Sequence, residues 1–277
     1  MKNLAKKLIP SYVLELFRKV RVLYRYLGIK DILAKNNLLK TNHDTVVILG
    51  NGPSLNQIHL PTMLADQDVI VMNSFFRHQD ADKLRIVAYC VGEQGADAAN
   101  YDISKVLHIK SSNYLFSIDF LERFTLLPKN IHIYFPGNDD LLLRHVSQID
   151  LRKPAPYYEV TSQMAILAAL YMGYKKIVLI GYDHNFLASG DYLTHFYDED
   201  FSDEVSISKL YIDDADYHSL IQNCDRMWTR YKRIEAYAKA KNVKIINCGI
   251  NSYLDVFSRH PINGSTIHIL KHIEALS

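Results

Sequence analysis

Past residue 43 the apolar positions gather in short runs separated by longer segments of mixed polarity. TVVILG (45–50), DVIVMN (68–73), RIVAYCV (85–91), KVLHIK (105–110), NIHIYF (130–135), KKIVLIGYD (175–183) and VKIINC (243–248) are rich in β-branched residues and apolar on both faces. That pattern suits parallel strands covered on both sides. TSQMAILAALYMGY (161–174) and LIQNCDRMWTRYKRIEAYAKAKN (220–242) are the clearest helices, with Gly173 and Asn242 near their C-terminal ends. The alternation predicts an α/β fold, a Rossmann-like open, mostly parallel sheet with helices on both faces. The polar stretch 195–219 interrupts it and reads as part of a lid-like insertion over about 185–219.

The first 43 residues follow another pattern. Lys2, Lys6, Lys7, Arg18, Lys19, Arg21 and Arg25 interleave with Leu, Ile, Val, Phe and Tyr, and no apolar run is long enough to cross a bilayer. From Ser11, a cap after Pro10, the apolar residues recur at helical spacing while several cations face elsewhere. Two readings stay open: a helix resting through residues 1–30 on an anionic membrane surface, or a helix packed on its own domain. The expected organisation is a basic amphipathic segment over 1–43, then a Rossmann-like catalytic domain over 44–277. The expected setting is the cytoplasm, peripheral to the inner face of the membrane if the first reading holds.

Composition narrows this further. A chain of 277 residues, 48% hydrophobic, can bury one large core. A net charge of +2 argues against nucleic acid as a partner. Cys90, Cys224 and Cys248 lack metal-type spacing and read as reduced core thiols. Subunit number is not fixed by any of these features, and a homo-oligomer is left open.

In an open parallel sheet the ligand lies beyond the carboxyl ends of the strands. The first run ends in Gly50, Asn51, Gly52, Pro53 and Ser54. Here the glycines would allow unusual backbone conformations and close approach to a ligand, Ser54 would cap the next helix, and the turn would hold an anion such as a phosphate. A third glycine is absent, and the second run ends in Asn73 and Ser74 where a dinucleotide site would place an acid. Two amides converging on one crevice suit a sugar or a base edge. Gly181, Asp183 and His184 follow another buried run, and Asp183 either faces the crevice or caps neighbouring backbone. His195 and Tyr197 would reach back over the pocket, while Asp198, Glu199 and Asp200 form either a Mg²⁺ site or a solvated loop. YLFSIDFLERF (114–124) and PYYEV (156–160) read as core or pocket wall rather than as a stack for an acceptor sugar, and Arg226, Arg230, Lys232 and Arg233 as a solvated helix face before a holder of an anionic acceptor or lipid headgroup.

GNGPSL (50–55), MNSFF (72–76), TSQMAILAALYMGYKKIVLIGYD (161–183) and NSYLDVF (251–257) resemble the bacterial CMP-sialic-acid-dependent sialyltransferases with a single Rossmann-like domain. They resemble as much the related MptE-like (DUF115) group, which includes a 6-hydroxymethylpterin diphosphokinase. The resemblance implies that Asn51, Asn73 and Ser162 hold a nucleotide, with Thr161 expected to join them, that Tyr192 touches the leaving phosphate, and that His218, in a His–Ser pair, is the general base. The chain departs from the sialyltransferase pattern at Glu159, where that family has arginine, and at His184 and Asn185 after the Gly-x-Asp, departures that weigh against a carboxylate-bearing donor. The expected activity is glycosyl transfer from a nucleotide-activated sugar, a CMP-sugar first, to a cell-surface glycan or lipopolysaccharide acceptor. Displacement would use His218 or His195 as base, with no metal or other cofactor required. The alternatives are a Mg²⁺-dependent pyrophosphokinase, with Mg²⁺ held by Asp183 and the acidic loop, and a non-catalytic scaffold recruited to a membrane.

Overall fold

Strands form where apolar runs are covered on both sides. The computed structural model describes residues 11–137, 148–185, 187, 195–197, 217–262, 269 and 271. Its strands are β1 (Thr45–Leu49), β2 (Val69–Met72), β3 (Ile86–Val91), β4 (Tyr114–Ser117), β5 (Ile131–Tyr134), β6 (Lys176–Ile180), β7 (Lys244–Asn247) and the short β8 (Ser258–Arg259). Among the described residues they make one eight-stranded sheet in the order β5-β4-β3-β2-β1-β6-β7-β8, parallel at every pairing. The helices are α1 (Ser11–Ala34), α2 (Leu60–Met63), α3 (Gly95–Asn100), α4 (Ile103–His108), α5 (Thr161–Met172) and α6 (Tyr217–Ala240).

Alternate side chains of β1 serve two cores. Val47 and Leu49 pack with Leu33, Leu55, Phe75 and Val106 on one face of the sheet, and Val46 and Ile48 with Met164, Leu167 and Met227 on the other. Helices on both faces are therefore what make the four buried β1 positions, Val46 to Leu49, all apolar. Helix α5 is buried along almost its whole length and ends at Gly173, whose φ of 109° closes it in the left-handed region that glycine favours.

The structure corrects one strand. Residues 105–110 lie mostly in α4 because Asp102 caps it, its carboxylate accepting from the Ser104 amide at 3.0 Å and the Ser104 hydroxyl at 2.6 Å. The strand that takes that place is β4, at the start of the aromatic stretch read as core or pocket wall. Phe116 of β4 packs on Phe120 and Phe124 with ring centroids 5.3 and 5.4 Å away.

Helix α1 packs one face on the domain through Val22, Tyr26, Ile29, Ile32 and the buried Leu33. The turn after it, Lys35–Leu39, is fixed by the buried Asn36, whose Nδ2 donates to the carbonyls of Ile133 (2.8 Å) and Leu151 (2.7 Å). His132 lies between Asn36 and Asn113, and burial, helped by the Lys35 charge, pushes it down to about 4, so it is neutral at physiological pH. The opposite side of α1 leaves Leu16, Phe17, Val20, Leu23, Tyr24 and Leu27 between 55% and 81% exposed. Among the described residues no helix is long and apolar enough to cross a membrane. Most of the expected lid, including Tyr192 and the acidic residues 198–200, lies outside the described residues.

Candidate functional site

Strand β1 lies between β2 and β6, so the chain leaves it in opposite directions along the sheet. Such a switch point opens a crevice beyond the strand ends. Here that crevice is a cleft of ≈ 380 Å³ formed by the ends of β1, β2, β3 and β6 and the start of α5.

The glycine turn is built by close approach. The Gly50 amide donates to Ile180 O (2.8 Å) and the Gly52 amide to Gly181 O (2.9 Å), so the turns after β1 and β6 are in backbone contact. A Cβ on Gly50 would stand 2.3 Å from the Gly181 carbonyl oxygen. Gly52 has an ordinary φ of −62°. Absence of a side chain, rather than an unusual dihedral, is what the turn requires of Gly50 and Gly52. Ser54 does not cap a helix: the 3₁₀ turn Pro53–Gln57 has Gly52 at its N-cap with no side-chain bond. Instead the Ser54 amide and hydroxyl donate to the two carboxylate oxygens of Asp183, at 2.8 and 2.5 Å. Burial raises the Asp183 pKa, and the two Ser54 hydrogen bonds oppose that shift.

Polar side chains converge above this base. Asn51 lines the cleft; its Nδ2 donates to Met72 O at 3.2 Å, and its buried Oδ1 has no hydrogen-bond partner among the described residues. Asn73, in the left-handed region with φ 43°, donates from Nδ2 to Glu93 Oε1 (2.8 Å) and Thr161 Oγ1 (3.1 Å) and accepts from the Gly92 amide. Thr161 is the first residue of α5, so the helix N-terminus opens onto the cleft beside Asn73. Next to it, Ser162 Oγ lies 2.7 Å from the Tyr231 hydroxyl, which lies 2.9 Å from His184 Nε2. His184 sits at φ 51° and is pushed down to about 4 by burial, against a backbone hydrogen bond at Tyr182 that raises it. The wall it forms with Ser162 and Tyr231 is polar and uncharged at neutral pH.

His195 also lines the cleft. Its segment is held over the glycine turn by the Phe196 amide donating to Asn51 O and by Asn56 Nδ2 donating to Phe196 O, both at 2.8 Å. His218 stands elsewhere, exposed in the first turn of α6, its Nε2 2.8 Å from Gln222 Nε2. Of the sequence-predicted residues, Gly50, Asn51, Gly52, Asn73, Thr161, Ser162, Gly181, Asp183, His184 and His195 line one cleft, whereas Pro53, Ser54, Ser74 and His218 are not among its lining residues.

Likenesses to solved structures are distant. CstII from Campylobacter jejuni, a sialyltransferase solved in complex with a substrate analogue, CMP-3FNeuAc, matches with a TM-score of 0.47 and 19% identity over 80% of this chain and 87% of its own. The monofunctional alpha-2,3-sialyltransferase Cst-I from the same organism matches at 0.48 and 19%, over 79% and 80% of the two chains. A MAf glycosyltransferase from Magnetospirillum magneticum AMB-1 matches at 0.47 and 13%, over 85% of this chain but 37% of its own. No protein-family model matches the chain, and no curated protein matches it in sequence.

Sequence reasoning missed Glu93, Gln94 and Asp97, although they follow β3 and the strand-end rule would have found them. It also placed the α6 cations on a solvated face. Arg230 is buried, pairs with Glu159 at 3.0 Å, and lays its guanidinium 4.8 Å over the Tyr157 ring, while Arg226 lies 3.7 Å from the same carboxylate. The cleft lining thus holds Glu93, Asp97, Glu159 and Asp183 and, among the described residues, no lysine or arginine. Among the described residues no group of three or more His, Cys, Asp and Glu is arranged to hold a metal.

Proposed function

We propose that this chain is a glycosyltransferase whose cleft takes a nucleotide-activated sugar, a cytidine monophosphate sugar first, and passes the sugar to a cell-surface glycan or glycolipid. The observation that carries the reading is Asn51 Oδ1, a buried acceptor without a partner among the described residues, on a residue that lines a cleft at the sheet's switch point. An unmet buried acceptor costs on the order of 1–3 kcal/mol, which a ribose hydroxyl or a base amino group would recover. The N-terminus of α5 offers its partial positive charge to a phosphate. Charge favours the monophosphate: the single phosphodiester of a CMP-sugar brings one negative charge, whereas a triphosphate would bring several into a lining of four carboxylates without a described lysine or arginine. In this reading His195 takes the proton of the acceptor hydroxyl as it attacks the anomeric carbon, and the nucleotide phosphate leaves toward α5.

A thermal-shift comparison with CMP, CDP, UDP, GDP and ATP, with and without Mg²⁺, tests this on wild type and Asn51→Ala. Stabilisation by CMP at about 100 times its Kd amounts to roughly 2.7 kcal/mol, and the substitution should abolish it. Stabilisation by ATP and Mg²⁺ alone would turn the reading to the pyrophosphokinase, and no response to any nucleotide would leave the scaffold.

We infer further that α1 rests on an anionic membrane. Leu16, Phe17, Val20, Leu23, Tyr24 and Leu27 fall within about 120° of the helix circumference at roughly 3.6 residues per turn. Arg21 borders this exposed arc on one side and Lys19 and Lys30 on the other, the arrangement of an interfacial helix. Sedimentation with vesicles containing phosphatidylglycerol should carry wild type down and leave Leu16→Glu/Leu23→Glu in solution. Dimer formation that this double substitution abolishes, without vesicle binding, would assign the arc to a second copy.

A further inference from the structure

A second cavity, ≈ 180 Å³, adjoins the cleft and shares Gln94 and Tyr157 with it. Its floor is made by residues that follow β3, β4 and β5: Gln94, Ile118 with Asp119, and Phe135 with Pro136. It therefore continues the cleft along the carboxyl edge of the sheet, away from Asn51. Its outer wall is α1, through Arg21, Val22 and Arg25. Whereas the lining of the main cleft is acidic, this cavity carries two cations and one carboxylate. Asp119 is already engaged, with Oδ1 3.4 Å from Arg25 Nη2 and Oδ2 accepting from the Gly95 amide at 2.9 Å. Arg21 has no hydrogen-bond or ion-pair partner among the described residues, and it supplies the cavity's uncompensated charge.

We propose that this second cavity binds an anionic group of the acceptor, held by Arg21 with Gln94 and Tyr157 lining the same cavity. The inference rests on the glycosyl-transfer reading, in which the donor nucleotide occupies the cleft at Asn51 and the acceptor must enter from the other side. An arginine fork recognises the planar oxyanions of carboxylates and phosphates alike. Two sources share that chemistry: an acidic sugar in the acceptor glycan, or the phosphate that joins a glycan to its lipid.

The test uses glucose, glucuronate and glucose 1-phosphate as probes, each titrated by ligand-observed NMR into the full chain saturated with CMP so that the main cleft is filled. Either acidic probe should bind at least tenfold more tightly than glucose, and Arg21→Glu should remove that preference while the CMP thermal shift stays as in wild type. Glucuronate alone would assign an acidic glycan, and glucose 1-phosphate alone or both together a site able to take the lipid-linking phosphate. Equal binding of all three probes, no binding of any, or a preference that survives Arg21→Glu would overturn the proposal. Arg21 is exposed, so the substituted protein should fold, and an unchanged melting temperature checks this. Loss of the CMP shift in wild type would refute the donor reading, while the dependence of probe binding on Arg21 would still decide the subsite.

Discussion

The bond between Asp183 and Ser54 ties the turn after β6 to the turn after β1, and its removal should be read as lost hydrogen bonds rather than lost charge. Asp183 is buried, and both of its oxygens accept from Ser54, at 2.8 and 2.5 Å. Asp183→Ala leaves a buried amide and hydroxyl unpaired, at roughly 1–3 kcal/mol each, so a loss of about 3 kcal/mol is expected. For a chain of this size that lowers Tm by about 6–12 °C. Asp183→Asn keeps an acceptor for the Ser54 amide and turns an N–H toward the Ser54 hydroxyl. The direction of the pKa shift fixes the sign of the remaining effect. Burial raises the folded pKa above the unfolded value of 3.8, so the protonated form is the one the fold prefers. That preference stabilises the fold fully below the unfolded pKa and is lost as pH rises through the raised folded pKa. At pH 7 the asparagine protein should therefore lie within about 1 kcal/mol of wild type. Guanidinium denaturation of the three proteins at pH 7 measures this. Equal destabilisation by Ala and Asn would show that the carboxylate charge holds the turn and would refute the reasoning. With both oxygens occupied, Asp183 should also leave CMP binding intact as asparagine; loss of transfer with binding and stability preserved would make it a catalytic residue instead.

Gly50→Ala should be more damaging than a surface change, because the Cβ would meet the Gly181 backbone oxygen at 2.3 Å and neither strand end can yield without breaking the Gly50–Ile180 bond; a loss of about 1–3 kcal/mol in denaturant unfolding is expected. Acid should weaken the fold through His132. Its folded pKa, about 4, lies below the unfolded value of 6.5, so the unfolded chain binds the extra proton between these values and stability falls as pH drops from about 6.5 to 4. The span corresponds to about 3 kcal/mol. His132→Gln should flatten the stability profile over that window without removing all of its slope, because His184 is displaced in the same direction. Cys90 and Cys248 should resist alkylation at pH 8 in the native protein and react after unfolding, since both are buried and burial pushes each thiol up to about 12.

The sheet was legible because coverage on both faces leaves little room for polar residues, so six of its strands appear as apolar runs. The run at 105–110 misleads for a local reason. Val106, Leu107 and Ile109 look strand-like, while the deciding Asp102–Ser104 cap lies before the run and acts through one side chain. The same strand-end rule made much of the cleft readable: Asn51, Asn73, His184 and their neighbours stand where parallel strands deliver side chains. His218 fails that rule, since a place in a His–Ser pair carries no information about which way the first turn of α6 faces. The Glu159–Arg230 pair spans 71 positions and joins a loop to a helix, which no local pattern encodes.

The N-terminal helix is where sequence and structure complement each other most closely. Its composition announces an amphipathic helix but leaves membrane and domain as rival explanations for the apolar residues. The structure shows two apolar arcs on opposite sides, one packed against the core cluster that holds Phe116, Ile131 and Phe135, the other exposed. The cations sort between these arcs, and the sorting matters for chemistry. Arg25 turns inward to Asp119 at the carboxyl edge of the sheet, and Arg21, one turn earlier, lines the same cavity at the border of the exposed arc. A single helix is thereby able to hold the protein against a surface and to present an arginine to whatever enters the cleft from that side. If the outer arc lies on lipid, an acceptor joined to lipid by phosphate would reach the second cavity at the level where Arg21 stands, and the two proposals would then share one geometric cause.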